Sequence, residues 1–208
     1  MELMARYEDD YFDLAIVDPP YGIKRAKTIN IPNPKKGFRG NKLHNEKEWD
    51  NEIPSKEYFL EVQRVSKNQI IWGGNYFTEY LKPTKSWIFW SKKETKTQGS
   101  CFSDGEMAWT SFNKVTRLFE YGWNGIDYCN KNETKIHPTQ KPVKLYEWLL
   151  QNYAKEGDKI LDTHLGSGSI AIACHNMKYD LTACELDKEY YDKAMKRLKE
   201  HTAQQRLF

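Results

Sequence analysis

Apolar residues along the chain follow two spacings. Asp13-Leu14-Ala15-Ile16-Val17-Asp18 is an unbroken apolar run between acids. That pattern predicts a strand buried on both faces of a parallel sheet. Pro19-Pro20 ends it, because proline cannot donate to a ladder. Gln69-Ile70-Ile71-Trp72 and Trp87-Ile88-Phe89-Trp90 have the same character, and 106–112 and 115–121 are further strand candidates. Helical spacing places Tyr58, Val62 and Val65 on one face behind a Ser55 cap. Tyr146, Leu149, Leu150 and Tyr153 form a second stripe behind Pro142, a residue tolerated at a helix start. A short helix is predicted over 75–81, stopped before Pro83.

The final third repeats a strand-helix alternation. Strand 159–162, a glycine turn over 164–169, helix 170–177, strand 181–184 and helix 187–201 follow one another. The last helix is expected to turn Tyr191, Ala194, Met195 and Leu198 inward. Such alternation predicts an α/β fold, with a mainly parallel sheet and helices on both faces.

Length adds one bound: 208 residues suffice for one sizeable core and not for two comfortable domains. The longest apolar runs, such as 14–17 and 170–174, are far too short to cross a bilayer. The first ten residues carry acids where a signal peptide would carry a basic segment and an apolar run. A cytoplasmic protein without membrane anchor is expected. Cys101, Cys129, Cys174 and Cys184 form no Cys-x-x-Cys pair and read as reduced thiols. With the five histidines they make no zinc spacing, so no metal is expected.

Net charge is only +3, but its distribution is uneven: residues 24–47 hold eight Lys or Arg against one acid. Charge runs are usually solvated loop; the alternative is a surface that faces phosphates. The loop over 22–54 is long enough that it is either functional or disordered.

Gly166-Ser167-Gly168-Ser169-Ile170-Ala171 fits a Gly-x-Gly-x-x-Gly/Ala turn between strand and helix. Glu185 ends the next strand, where an acid bonds ribose hydroxyls in a nucleotide crevice. A tight turn without ligand explains a lone glycine motif. Strand, turn, helix, strand and acid in register favour nucleotide binding.

Asp18-Pro19-Pro20-Tyr21 follows the buried strand directly. Together with the Gly-x-Gly turn, with Gly73-Gly74-Asn75-Tyr76-Phe77 after a strand, with His137-Pro138-Thr139-Gln140-Lys141-Pro142 before a helix, and with Asp162 ahead of Gly166, it resembles the amino-methyltransferases of nucleic acids. The catalytic motif precedes the cofactor motif. That order is similar to the β group of DNA adenine methyltransferases, a circular permutation of the Rossmann-like methyltransferase fold. The resemblance implies one methyltransferase domain over 1–208. A catalytic half would span 1–90, a short target-recognition region 91–135 and a cofactor-binding half 136–208.

It further implies S-adenosylmethionine as cofactor and DNA as partner, within restriction-modification. Relatives in the group are often dimers, which leaves a homodimer open. Asp18 and the Pro19 carbonyl would accept hydrogen bonds from an exocyclic amine whose lone pair is otherwise delocalised. Pro20 would stiffen the corner, and Tyr21 would stack on a flipped base. Asp162, His164, Gly166, Ser167, Gly168, Glu185, Leu186, His137 and Lys141 would surround the cofactor. His164 stands near where the family has Pro-Phe. Lys24, Arg25, Lys35, Lys36, Arg39, Lys92, Lys93 and Lys96 would face DNA phosphates. Relatives usually begin with another strand, for which residues 1–11 are too short.

Asp at the head of the motif favours adenine-N6 over cytosine-N4. The absence of a Pro-Cys motif argues against cytosine-C5 chemistry. A dehydrogenase would leave Asp-Pro-Pro-Tyr idle, and a catalytically impaired nucleic-acid-binding relative is the alternative from another class.

Overall fold

The computed structural model describes residues 1–23, 50–92, 103–123, 133 and 135–203. After a 3-10 turn at Met4–Arg6 come β1 (Phe12–Val17), α1 (Lys56–Val65) and β2 (Ser66–Trp72). Then follow β3 (Trp87–Ser91), β4 (Gly105–Thr110), β5 (Arg117–Glu120) and α2 (Val143–Tyr153). The chain closes with β6 (Lys159–Asp162), α3 (Ser169–Met177), β7 (Asp180–Ala183) and α4 (Lys188–Ala203).

The seven strands form one sheet in the order β5-β3-β4-β2-β1-β6-β7. β4 alone runs antiparallel to its neighbours, β2 and β3. The other pairs are parallel, as expected. The apolar run of β1 is central, and Leu14, Ala15, Ile16 and Val17 are each 1% exposed or less. Alternation divides it between two cores. Leu14 and Ile16 join Ile70, Trp72, Leu145, Leu149, Ile170 and Ala173 on the α2–α3 face. Ala15 and Val17 join Ile71, Phe59, Val62 and Val65 on the α1 face. Covering both faces is what permits so apolar a central strand.

Two sequence expectations need correction. Over 75–81 the expected helix shrinks to a single 3-10 turn at Gly74–Tyr76, followed by turns. Gly73 is left-handed, with φ +68°. A Cβ on Gly74 would lie 2.5 Å from the Trp109 Cβ, so this chain is pressed flat against β4. In α4, Tyr191 is 44% exposed, while Tyr190 is buried and packs on His137. The inward stripe is Tyr190, Ala194 and Leu198, a spacing of four that Tyr191 does not share. No helix among the described residues is long and apolar enough to cross a membrane.

Candidate active site

β1 and β6 are parallel neighbours in register, Leu14 opposite Ile160 and Ala15 opposite Leu161. The residues that end them, Asp18 and Asp162, therefore come out at the same edge of the sheet. β1 also pairs with β2 on its other side, through α1, so the chain reverses its direction of strand addition here. Such a switch point opens a crevice at the carboxyl ends of the strands.

The Asp-Pro-Pro-Tyr corner is tied down at three points. The Tyr21 hydroxyl donates to Asp18 Oδ1 at 2.7 Å. The backbone N–H groups of Tyr21 and Gly22 both donate to Asp50 Oδ1, at 2.9 and 3.0 Å. The Tyr21 ring lies over Gly73, where an added Cβ would stand 2.2 Å from its Cε1. Tyr76 stacks on Tyr21, with centroids 5.0 Å apart and planes at 16°, and is itself half-exposed. The Gly-Gly-Asn-Tyr segment thus supplies room for one aromatic ring and a second ring to extend it.

Lys141 enters this corner from the segment before α2. Its ammonium donates to Asp18 Oδ2 at 2.5 Å and stands 3.0 Å from Glu106 Oε2. It is also 3.4 Å from the Tyr21 hydroxyl and 5.2 Å from the centroid of the Trp72 ring. Glu106 pairs in turn with Lys92. Burial raises the Asp18 carboxyl above its usual range, against the pull of Lys141. Burial would raise Glu106 too, but the Lys141 and Lys92 ammoniums outweigh it and hold that carboxyl at about 2. Burial disfavours the charged Lys141, yet the two carboxylates hold it protonated beyond its ordinary range.

Across the crevice, Gly166 and Gly168 take φ +53° and +72°. The Gly166 N–H donates to Glu185 Oε2 at 2.8 Å, and the Asp187 N–H to Glu185 Oε1 at 2.9 Å. Two backbone donors aim this carboxylate while leaving each oxygen a second acceptor site. Gly168 lies under Ala194, 3.1 Å from a Cβ placed there, and Ser167 and Ser169 are buried. Arg197 donates to the Ser167 carbonyl at 3.0 Å and to Glu133 at 2.8 Å, locking the turn from α4.

Above Gly166 the space is open. An added Cβ would meet nothing nearer than 3.8 Å, with the His137 ring at 3.9 Å. Leu186, beside Glu185, is 98% exposed. Asp162 is buried, accepts the His164 N–H at 2.9 Å, and burial pushes its carboxyl up to about 8. His164 faces Tyr58 edge-on and Thr163 Oγ1 at 3.0 Å, and burial lowers its imidazole to about 4.

The fold therefore brings two sequence-predicted groups to one edge. Asp18, Pro19, Pro20 and Tyr21 form one wall. Asp162, His164, Gly166, Ser167, Gly168, Glu185 and Leu186 form the other. His137 and Lys141 span the gap, and the Lys141 ammonium meets Asp18 where the sequence pointed to the cofactor. Lys92, expected to face phosphate, is turned inward onto Glu106. Lys24, Arg25, Lys35, Lys36, Arg39, Lys93 and Lys96 lie outside the described residues. Asp50 and Glu106 sit in no motif, so the sequence does not single them out. The signal for Glu106 is a carboxylate opening a strand whose later residues, Ala108, Trp109 and Thr110, are buried.

An α/β fold with a nucleotide-type crevice beside an acidic proline corner is the class these observations define. Residues 50–196 match the DNA methylase family of N6 and N4 methyltransferases, and the chain belongs to that family. Type II methyltransferase M2.DpnII of Streptococcus pneumoniae is 40% identical over 182 residues, 85% of this chain and 64% of that protein. The chain spans 23%, 64% and 50% of the lengths of three curated relatives it matches. Among solved structures, an M1.HpyAVI–SAM complex superposes with TM-score 0.59 at 19% identity, covering 94% of this chain and 91% of the other. The cytosine-N4-specific PvuII DNA methyltransferase gives TM-score 0.60 at 13% identity, with 97% and 86% covered. These superpositions establish a Rossmann-like methyltransferase fold.

Proposed function

We propose that this chain transfers a methyl group from S-adenosylmethionine to the exocyclic N6 of adenine in DNA. The observation that carries the reading is the position of Asp18, a preorganised acceptor at the switch point, beside the Gly166–Glu185 crevice. The crevice fits the cofactor. Glu185 is aimed for ribose hydroxyls, the open cradle over Gly166 admits a ligand that a Cβ would exclude, and exposed Leu186 offers an apolar face to adenine. At the start of α3, Ser169 is buried and its hydroxyl accepts a hydrogen bond from Arg197.

When bound, the cofactor supplies an electrophilic methyl on a sulfonium. Asp18 and the Pro19 carbonyl hold the amine so that its lone pair points at that methyl. Asp18 would also take up the proton that the amine sheds as it is methylated. Positioning and fixed charges supply the catalysis. Asp18 is 18% exposed, so one side of the carboxylate faces the crevice. A flipped base stacks on the surface made by Tyr21 and Tyr76.

The connections after β1, between β3 and β4, and after β5 all leave from this same edge. Target recognition would fall to the region 91–135. The basic segment 24–47 would meet phosphates, with affinity falling as salt rises. Cytoplasmic location and a homodimer complete the reading, and sedimentation velocity tests the dimer.

Adenine rests on Asp18 at the head of the motif. Cytosine-N4 is the second reading, favoured by the fold shared with the PvuII enzyme. Tritium transfer from labelled cofactor to DNA, with base analysis of the product, separates them. Asp18→Ala is expected to abolish transfer while leaving cofactor binding intact. Turnover at the wild-type level in that variant would end the assignment.

A further inference from the structure

One carboxylate beside the corner has no part in the reaction described above. Glu106 is the second residue of β4, the single antiparallel strand, and reaches the crevice from the side opposite β6. Its Oε1 pairs with Lys92, and its Oε2 stands 3.0 Å from Lys141 Nζ. Lys141 continues to Asp18 Oδ2 at 2.5 Å. Four charges of alternating sign thus run in a line, Lys92, Glu106, Lys141 and Asp18.

Lys141 has three ammonium donors. Among the described residues it donates to Asp18 Oδ2 and to the more distant Tyr21 hydroxyl, and it stands at ion-pair distance from Glu106 Oε2. Asp18 alone would neutralise the lysine but leave the ammonium free to swing about the carboxylate. With Glu106 behind it, the ammonium approaches Asp18 from one fixed side. Lys92 balances the second carboxylate, so the line is neutral overall and can be buried.

We propose that Glu106 is a positioning residue for methyl transfer, acting through Lys141 to fix which lone pairs of Asp18 remain open to the amine. This rests on the reading of Asp18 as the amine acceptor. Activity in that case requires Asp18 ionised and Lys141 protonated. Removing the negative charge at 106 makes Asp18 more acidic and Lys141 less basic, so both limbs of the pH profile move to lower pH. Removing the positive charge at 92 has the opposite sign, and both limbs move to higher pH. A purely structural role would lower the amplitude and leave the limbs in place.

The test uses the full chain with Glu106→Gln and Lys92→Met. Two readouts are taken: single-turnover methyl transfer to DNA against pH, and the titration midpoint of the Lys141 amine by NMR of lysine-labelled protein. The Lys141 signal is assigned by its loss in Lys141→Met. Glu106→Gln is expected to slow transfer by about tenfold to a hundredfold, the scale of one to two pKa units of lost charge interaction at a buried ion pair. Cofactor affinity should stay within about twofold of wild type, since the Gly166–Glu185 wall is untouched. The Lys141 midpoint should fall in Glu106→Gln and rise in Lys92→Met. Should Glu106→Gln not fold, Lys92→Met decides by the sign of its shift. Unmoved limbs together with an unmoved Lys141 midpoint would overturn the proposal. Absence of methyl transfer by the wild-type chain would instead overturn the function proposed above, and the NMR midpoints would still decide whether Glu106 anchors Lys141.

Discussion

The ammonium of Lys141 lies 2.5 Å from Asp18 Oδ2, across 123 residues of sequence. Four positions before Lys141, His137 packs beside Gly166. One short segment therefore touches both walls of the crevice. This makes the His-Pro-Thr-Gln-Lys-Pro run a strut, held in place by Trp123 Nε1 donating to the Gln140 carbonyl at 2.7 Å.

Lys141→Met should destabilise the fold by about 3–5 kcal/mol, because it strands a buried carboxylate. Urea denaturation measures this. The same substitution in an Asp18→Asn background should cost less, since the stranded charge is then gone. Equal costs in both backgrounds would mean that the pair is not coupled.

Gly73→Ala should disturb the corner without touching the cofactor. Its φ of +68° strains any side chain, and the new Cβ would lie 2.2 Å from the Tyr21 ring. A loss of about 1–3 kcal/mol is expected by thermal unfolding. Methyl transfer should fall with it, while calorimetry with S-adenosylmethionine should show near-wild-type affinity.

Glu185→Gln reverses that pattern. The carboxylate accepts two backbone N–H groups, and an amide can accept at only one of its two terminal atoms. Cofactor affinity should drop by about tenfold to a hundredfold, the equivalent of about 1.4 to 2.7 kcal/mol. The same calorimetry checks it.

Two buried groups at the cofactor wall contribute to the pH dependence of stability, with opposite signs. Asp162 is raised from 3.8 to about 8, so its contribution is complete below its unfolded value and is lost as pH rises through 8. His164 is lowered from 6.5 to about 4, so its contribution is complete above 6.5 and is lost as pH falls toward 4. Asp162→Asn keeps an oxygen for the His164 N–H and should remove the decline between pH 4 and 8. Melting temperatures measured across that range test it, and an unchanged slope would contradict the assignment.

Local pattern carried most of the elements. The run from Leu14 to Val17 has one sensible burial, and the stripes behind Ser55 and Pro142 have one sensible face. Where local propensity competed with packing, packing won. The stretch 75–81 reads as helix but is a flattened turn, because Gly74 must lie against Trp109. Tyr191 and Tyr190 are equivalent by composition; Tyr190 shares the four-residue spacing of Ala194 and Leu198 and packs on His137, while Tyr191 stays exposed.

By itself the sequence determined the two walls of the site: an acid and two prolines after a buried strand, and a glycine turn with an acid one strand later. Each wall is built from residues close in the chain, so short-range spacing records it. The tertiary structure alone decided how the walls are joined. Glu106, Lys92 and Asp50 carry no motif, and their charges acquire meaning only when β4 and the corner after β1 come together at the sheet edge. Coulomb interaction depends on distance in space and on burial, and neither is written in the order of residues.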